Sequence, residues 1–116
     1  MLRIMCKSKI HRVRITKIDL HYEGSIGIDK MLLKKADICP GEIVQVVNIN
    51  NGSRFETYAI EEAGGSGNIG LYGAAAHMGK VGDLIIILSN CLLEDKKSRN
   101  LKMKVVRVDS DNNPIK

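Results

Sequence analysis

At 116 residues the chain holds one domain's worth of sequence, enough for a single modest core. Its 44% of apolar residues include no Trp, one Phe and three Tyr, so that core must be aliphatic, and no apolar run reaches the roughly 18 residues of a membrane-crossing helix. The net charge of +5 admits a nucleic-acid partner, but seven Lys/Arg against four Asp/Glu lie from Leu93 onward, where a basic segment more often solvates a chain end.

Met1 runs straight into Leu2-Arg3-Ile4-Met5-Cys6-Lys7, with charges too early for a signal peptide, which points to a cytoplasmic protein. Cys6, Cys39 and Cys91 are odd in number and contain no CxxC, so they read as free reduced thiols and give no support to a metal site.

The first segment sets Lys7, Lys9, His11, Arg12, Arg14 and Lys17 among Ile10, Val13, Ile15 and Ile18. The alternation Val13-Arg14-Ile15-Thr16 has period two and predicts a strand with one wet face. Its charges are either solvated or counterions to acidic neighbours. His21-Tyr22-Glu23-Gly24-Ser25 follows. On its own, Gly24-Ser25 reads as a turn. The pair also permits a chemical step, because a serine hydroxyl can attack the carbonyl before it and move the acyl group from nitrogen to oxygen. Glycine leaves that carbonyl open and tolerates strained angles. The ester can then eliminate, turning Ser25 into dehydroalanine and, after hydrolysis, a pyruvoyl group. That ketone is an electrophile no standard side chain supplies.

Ile26-Gly27-Ile28 is short and extended, and Asp29 has the character of a helix N-cap for 30–36. Pro40-Gly41 ends that helix. Residues 42–50 predict a strand, Asn51-Gly52 a two-residue hairpin, and 53–62 the returning strand. On the return, Phe55, Thr57 and Ala59 face one way, and Arg54, Glu56, Tyr58 and Ile60 the other. The glycine-dense stretch 64–73 lacks the Lys-Ser/Thr ending of a phosphate loop and the dinucleotide fingerprint, and reads as a mobile turn followed by a short extended segment. Ala74-Ala75-Ala76-His77-Met78 could open a helix with free backbone N–H groups for an anion. Val81-Gly82-Asp83 is a turn, and 84–88 predicts a strand buried on both faces. Residues 94–100 read as an exposed loop or frayed helix, 102–109 as an edge strand, and about 92–116 as a polar tail. Five to seven short strands, two short helices and many glycine turns make the chain mainly β, a small closed barrel or sandwich in a single domain, 1–116.

Four motifs then occur in order: Lys7-Ser8-Lys9-Ile10-His11-Arg12, Tyr22-Glu23-Gly24-Ser25-Ile26, Asn51-Gly52-Ser53-Arg54-Phe55-Glu56-Thr57-Tyr58 and Gly73-Ala74-Ala75-Ala76-His77. Together, over about residues 1–90, they resemble the pyruvoyl-dependent aspartate 1-decarboxylases (aspartate α-decarboxylases). The resemblance implies a double-psi β-barrel and a homotetramer with active sites between subunits. It implies autocatalytic cleavage between Gly24 and Ser25 into chains 1–24 and 25–116, and decarboxylation of L-aspartate to β-alanine for pantothenate and coenzyme A synthesis. The cofactor it implies is a covalent pyruvoyl group from Ser25 that forms a Schiff base with the substrate, with no metal and no pyridoxal phosphate. Tyr58 matches the proton donor. Lys9, Arg54, Thr57, Gly73, Ala74 and Ala75 match substrate contacts, and Thr57 would also polarise the Gly24 carbonyl. His11, Tyr22 and Tyr72 are supporting positions, whereas His21 and His77 read as structural or exposed. No nucleic acid or membrane partner is implied, and a maturation factor is left open. Two positions depart from the family pattern: Tyr72 stands where asparagine is common, and Gly27 where threonine is frequent. Two other readings stay open. One is a small basic barrel that binds nucleic acid, for which four aromatic residues offer little stacking. The other is a non-processing relative with an assembly role, whose only sequence support is Tyr72.

Overall fold

The computed structural model describes residues 1–115. In chain order its elements are β1 (Leu2–Arg14), β2 (Lys17–Asp19), β3 (Ser25–Asp29), α1 (Lys30–Ala36), β4 (Ile43–Asn48), β5 (Arg54–Glu62), β6 (Ile69–Tyr72), a 3-10 turn (Gly73–Met78), β7 (Leu84–Glu94), α2 (Asp95–Arg99), β8 (Lys104–Val108) and β9 (Pro114–Ile115). The strands form one sheet in the order β2-β6-β3-β5-β4-β7-β1-β8-β9. Only Ile15 and Thr16 separate β1 from β2, yet these strands lie seventh and first in that order. The Thr16 N–H donates to the Ile69 carbonyl at 2.8 Å and the Ile15 N–H to the Asp83 carbonyl at 2.9 Å. A sheet whose seventh strand runs directly into its first has to curl back on itself, so the fold is a barrel.

The connections cross twice. β2 and β3 flank β6, and β7 and β8 flank β1, the enclosed strand being parallel to one neighbour and antiparallel to the other. This is a mainly β barrel of the double-psi kind. Its interior is aliphatic, with Ile10, Val13, Ile26, Ile28, Val46, Leu71, Ile85 and Ile87 fully buried. On β5, Phe55 packs on that core and Ala59 is inside it, whereas Arg54 and Glu56 are exposed, so the predicted faces hold. Asp29 caps α1 by accepting from the Met31 N–H at 2.8 Å, and Asp37 closes the helix in the left-handed conformation. Cys6 and Cys91 are half-buried and Cys39 is exposed, all as free thiols.

Several expectations need correction. β1 is 13 residues long, with register shifts between Cys6 and Ser8 and between Ile10 and Val13, although the expected alternation holds over 13–16, with Val13 and Ile15 buried and Arg14 and Thr16 exposed. The β4–β5 turn is wider than two residues because Asn48 holds it: its carbonyl accepts from the Gly52 N–H, and its side-chain oxygen from the N–H groups of Asn50 and Asn51. β7 is buried on one face only; Ile85 and Ile87 are inside, and Leu84, Ile86 and Leu88 are half-covered. The glycine-dense stretch is pinned rather than loose. The buried Asp29 carboxylate accepts from the N–H groups of Gly65 and Gly67 at 3.0 and 2.8 Å. The residues after Tyr72 do form a helix, a short one of the 3-10 kind. β8 is not an edge, since β9 pairs with it, and the polar tail is built into the fold. There Val106 joins the core, and the buried Asn112 side chain donates to the carbonyls of Arg14 and Gly67 while accepting from the Arg14 N–H.

Candidate active site

Ser25 opens β3 and is fully buried, and its hydroxyl donates to the Glu23 carbonyl at 3.1 Å. Gly24, the residue before it, is exposed. On one side β3 runs antiparallel to β6, with Ser25 opposite Tyr72 and Gly27 opposite Gly70. On the other it runs parallel to β5, with Ile26 opposite Ala59. Continued one residue back along β5, this register sets Tyr58 beside Ser25, and one residue further Thr57 beside Gly24. Ile26 and Ala59 point into the core, so by alternation Ser25, Tyr58 and Tyr72 share the opposite face.

The turn after β6 lies directly on the Gly24-Ser25 segment. Gly73 has φ of +64°, and a Cβ there would stand 2.7 Å from both N and Cα of Gly24 and 3.0 Å from the Tyr22 carbonyl oxygen. Both the angle and the space therefore demand glycine. Ala74 is exposed and Ala75 is largely covered, so small side chains continue the wall.

The sequence-predicted residues do not all meet in one chain. Tyr22, Gly24, Ser25, Thr57, Tyr58, Tyr72 and Gly73 to Ala75 are brought together by β3, β5, β6 and their loops. Arg54 shares the face of Tyr58 but stands four residues away, about 13 Å along a strand. Lys9 and His11 lie on β1, which is not hydrogen-bonded to β3, β5 or β6. His11 faces Arg107 on β8 and has a buried Nδ1 without a hydrogen-bond partner among the described residues. Burial first, then the charges of Lys9, Arg107 and Arg12, hold its pKa below the ordinary value.

Around Tyr72 the structure adds residues that the sequence reading missed. The Tyr72 hydroxyl donates to the Glu62 carboxylate. Tyr22 meets the ring edge-on with centroids 5.1 Å apart, and the Lys17 ammonium sits 5.7 Å from its centroid. Burial, then the Glu62 hydrogen bond and charge, push the Tyr72 phenol far above its ordinary pKa, so it remains a donor. A cavity of about 240 Å³ opens here, lined by Lys17, Asp19, Tyr22, Ile60, Glu61, Glu62 and Tyr72. Nothing in the spacing of Glu62 or Lys17 marks them; the only sequence signal was the pair of departures, Tyr72 and Gly27.

A family model described as aspartate decarboxylase matches residues 1–115 of the chain. The chain belongs to the aspartate decarboxylase family. The match takes in the C-terminal segment that the four motifs left uncovered. An aspartate 1-decarboxylase of Thermoanaerobacter pseudethanolicus is 55% identical over 115 residues, covering 99% of this chain and 98% of that protein. Those of Syntrophobacter fumaroxidans and Herminiimonas arsenicoxydans are 51% and 53% identical, covering 99% and 97% of this chain and 93% and 94% of theirs. Among solved structures, a rationally designed protein, mkDPBB_sym_86, is similar with a TM-score of 0.49 and 17% identity, over 68% of this chain and 91% of its own. Membership makes this aspartate decarboxylase family member a carboxy-lyase.

Proposed function

We propose that this carboxy-lyase converts L-aspartate to β-alanine and carbon dioxide, using a pyruvoyl group made from its own Ser25. The observation that carries the reading is the setting of Ser25: buried at the head of β3, next to Tyr58, with Gly73 packed against Gly24, the residue before it. A pyruvoyl group keeps the serine Cα and Cβ, replaces the backbone nitrogen by oxygen and loses Oγ, so it fits a fully buried serine position. Once formed, the group supplies an electron sink beside the substrate α-carbon.

The chain's own atoms account for making it. Ser25 Oγ leaves the Glu23 carbonyl and adds to the Gly24 carbonyl carbon; the Gly24–Ser25 C–N bond breaks, and the hydroxyl proton passes to nitrogen. Loss of the Ser25 Cα proton then expels the Gly24 carboxylate, and hydrolysis consumes one water and releases ammonia. Thr57, beside Gly24, donates to the attacked carbonyl. In this reading Tyr72 takes no part in the cleavage chemistry itself, its hydroxyl donating to Glu62.

In turnover, Tyr58 protonates the α-carbon after carbon dioxide leaves. The small segment Gly73 to Ala75 lets substrate approach the backbone, and Arg54 grips a carboxylate with two parallel N–H groups. Lys9 lies on β1 and Arg54 four residues along β5 from Tyr58, outside the group around Ser25, and in this reading they serve the site of a neighbouring copy. This supports a homotetramer with sites between subunits. The β-alanine product is a building block of pantothenate.

The test is the denatured intact mass of fresh and warmed protein, followed by an assay for β-alanine without pyridoxal phosphate. Chains 1–24 and 25–116, the latter with a pyruvoyl end, are the expected result, with Ser25→Ala remaining whole. Tyr58→Phe should still cleave but lose about 10²–10⁴-fold in kcat. A wild-type mass that never changes, with no β-alanine formed, overturns the reading.

A further inference from the structure

We propose that Glu62 is a positioning residue for the cleavage at Gly24–Ser25: it acts through Tyr72, which fixes the end of β6 and so the Gly73 turn on which Gly24 rests. The proposal deepens the self-processing reading and rests on it for its functional arm.

β6 has four residues, and alternation divides them. Ile69 and Leu71 are in the core, while Gly70 and Tyr72 face outward. The Tyr72 ring does not stand off the sheet; it lies back over two glycines that oppose one another across β3 and β6. A Cβ on Gly70 would stand 3.0 Å from the ring's Cε2. A Cβ on Gly27 would stand 2.9 Å from that same atom and 2.7 Å from Cδ of Glu62. The two glycines form a trough as wide as the ring. At its far end Glu62, the last residue of β5, accepts the phenol proton in a hydrogen bond. Lys17 of β2 covers the ring, and Tyr22 closes its edge. One side chain is therefore held by four strands and by the loop that carries the scissile bond.

What it holds is the backbone beside that bond. Tyr72 is extended, at φ −119° and ψ 147°, and the next residue, Gly73, switches to φ +64° to pass over Gly24. Where the switch lands depends on where Tyr72 sits. With the ring tied at its hydroxyl end, β6 has one terminal position. Without Glu62 the ring can rotate over a featureless glycine surface, and Gly73 is no longer fixed against Gly24. Burial and the bond to Glu62 raise the phenol further above its ordinary pKa, so Tyr72 stays the donor in this tie.

The two departures from the family pattern thus become one feature. Glycine at 27 puts no side chain on the face where Tyr72 and Glu62 lie. It makes room for the Tyr72–Glu62 pair, and a threonine there would collide with both.

The experiment follows the uncleaved mass with time in Glu62→Ala, Glu62→Gln and Tyr72→Phe. Glu62→Ala and Tyr72→Phe should each slow cleavage roughly tenfold, the rate equivalent of one hydrogen bond to a charged group. Glu62→Gln, which keeps an acceptor, should recover most of the rate. Gly27→Thr should cleave slowly, and Gly27→Thr combined with Tyr72→Asn should cleave faster than Gly27→Thr alone. Wild-type rates in both Glu62→Ala and Tyr72→Phe overturn the proposal, as does a Glu62→Gln no faster than Glu62→Ala. A second arm needs no cleavage. In a Ser25→Ala background, adding Glu62→Ala should lower amide-exchange protection at Gly73 and Ser25→Ala's own neighbours in 22–25, with far strands such as β7 unchanged. If wild type never cleaves, self-processing fails and exchange alone decides the positioning role; unchanged protection rejects it.

Discussion

Gly73 is the residue where backbone geometry and chemistry are hardest to separate. An alanine there meets two costs. The left-handed angle costs about 1–2 kcal/mol for a residue with a Cβ. The Cβ also runs into Gly24 backbone atoms, which cannot swing aside as a side-chain tip would. Overpacking of this kind costs about 1–3 kcal/mol. The strain falls on Gly24, the residue whose carbonyl is attacked, so Gly73→Ala should lose more in cleavage rate than in stability. Urea titration of a Ser25→Ala background gives the stability loss, and the mass time course gives the rate. A variant that cleaves as fast as wild type would show that Gly73 is only a turn former. Ser25, Tyr58 and Gly73 were all legible in the sequence, because each sits in a short contiguous motif. Glu62 was not. Its partner is ten residues away along the chain, and it reaches Tyr72 only because β5, β3 and β6 lie side by side.

Among the elements, the junction of β3 and α1 shows the same division between local and long-range information. That Asp29 caps α1 could be read from the run of helix formers behind it, and the helix begins at Lys30 as expected. That the same carboxylate also clasps Gly65 and Gly67 could not, because those N–H groups arrive from 36 and 38 residues away. One buried carboxylate thus organises a helix start and a loop that leads into β6. Asp29→Ala leaves three backbone N–H groups without their acceptor, and the cap alone is worth about 1 kcal/mol. With the clasp added, the loss should reach about 2–4 kcal/mol, since the buried Gly67 N–H left unpaired costs about 1–3 kcal/mol. Asp29→Asn keeps one acceptor oxygen and should lose roughly half as much. Equilibrium urea unfolding measures both. An Asp29→Ala loss no larger than that of an ordinary cap would mean the loop holds itself without the carboxylate. The hairpin at Asn51-Gly52 fared differently: the turn was legible, but its width was set by the Asn48 side chain, which a dipeptide rule does not see.

On the scale of the whole molecule, composition and alternation carried the mainly β barrel, and the C-terminal third was the part least readable. Lys104 to Val108 has the charges of an edge strand, yet it pairs with β1 on one side and β9 on the other. Parallel pairing across almost the full length of the chain leaves no local trace in the sequence. Its consequence is electrostatic, because it sets Arg107 opposite His11, with Lys9 and Arg12 on the same stretch of β1. Burial and these three cations hold the imidazole below its ordinary pKa of 6.5. The folded chain therefore binds fewer protons there than the unfolded chain does. By linkage, stability is intact above the unfolded value and is lost as pH falls from about 7 through the lowered folded value. Wild-type Tm should drop between pH 7 and pH 5, and His11→Gln should flatten that part of the curve while changing little at pH 8. Salt screens the contributions of Lys9, Arg107 and Arg12 but leaves the burial part, so raising ionic strength should narrow the difference without closing it. If His11→Gln follows the wild-type slope at both salt concentrations, the proton is not taken up at this position, and the parallel β1–β8 register does not crowd His11 with charge in solution.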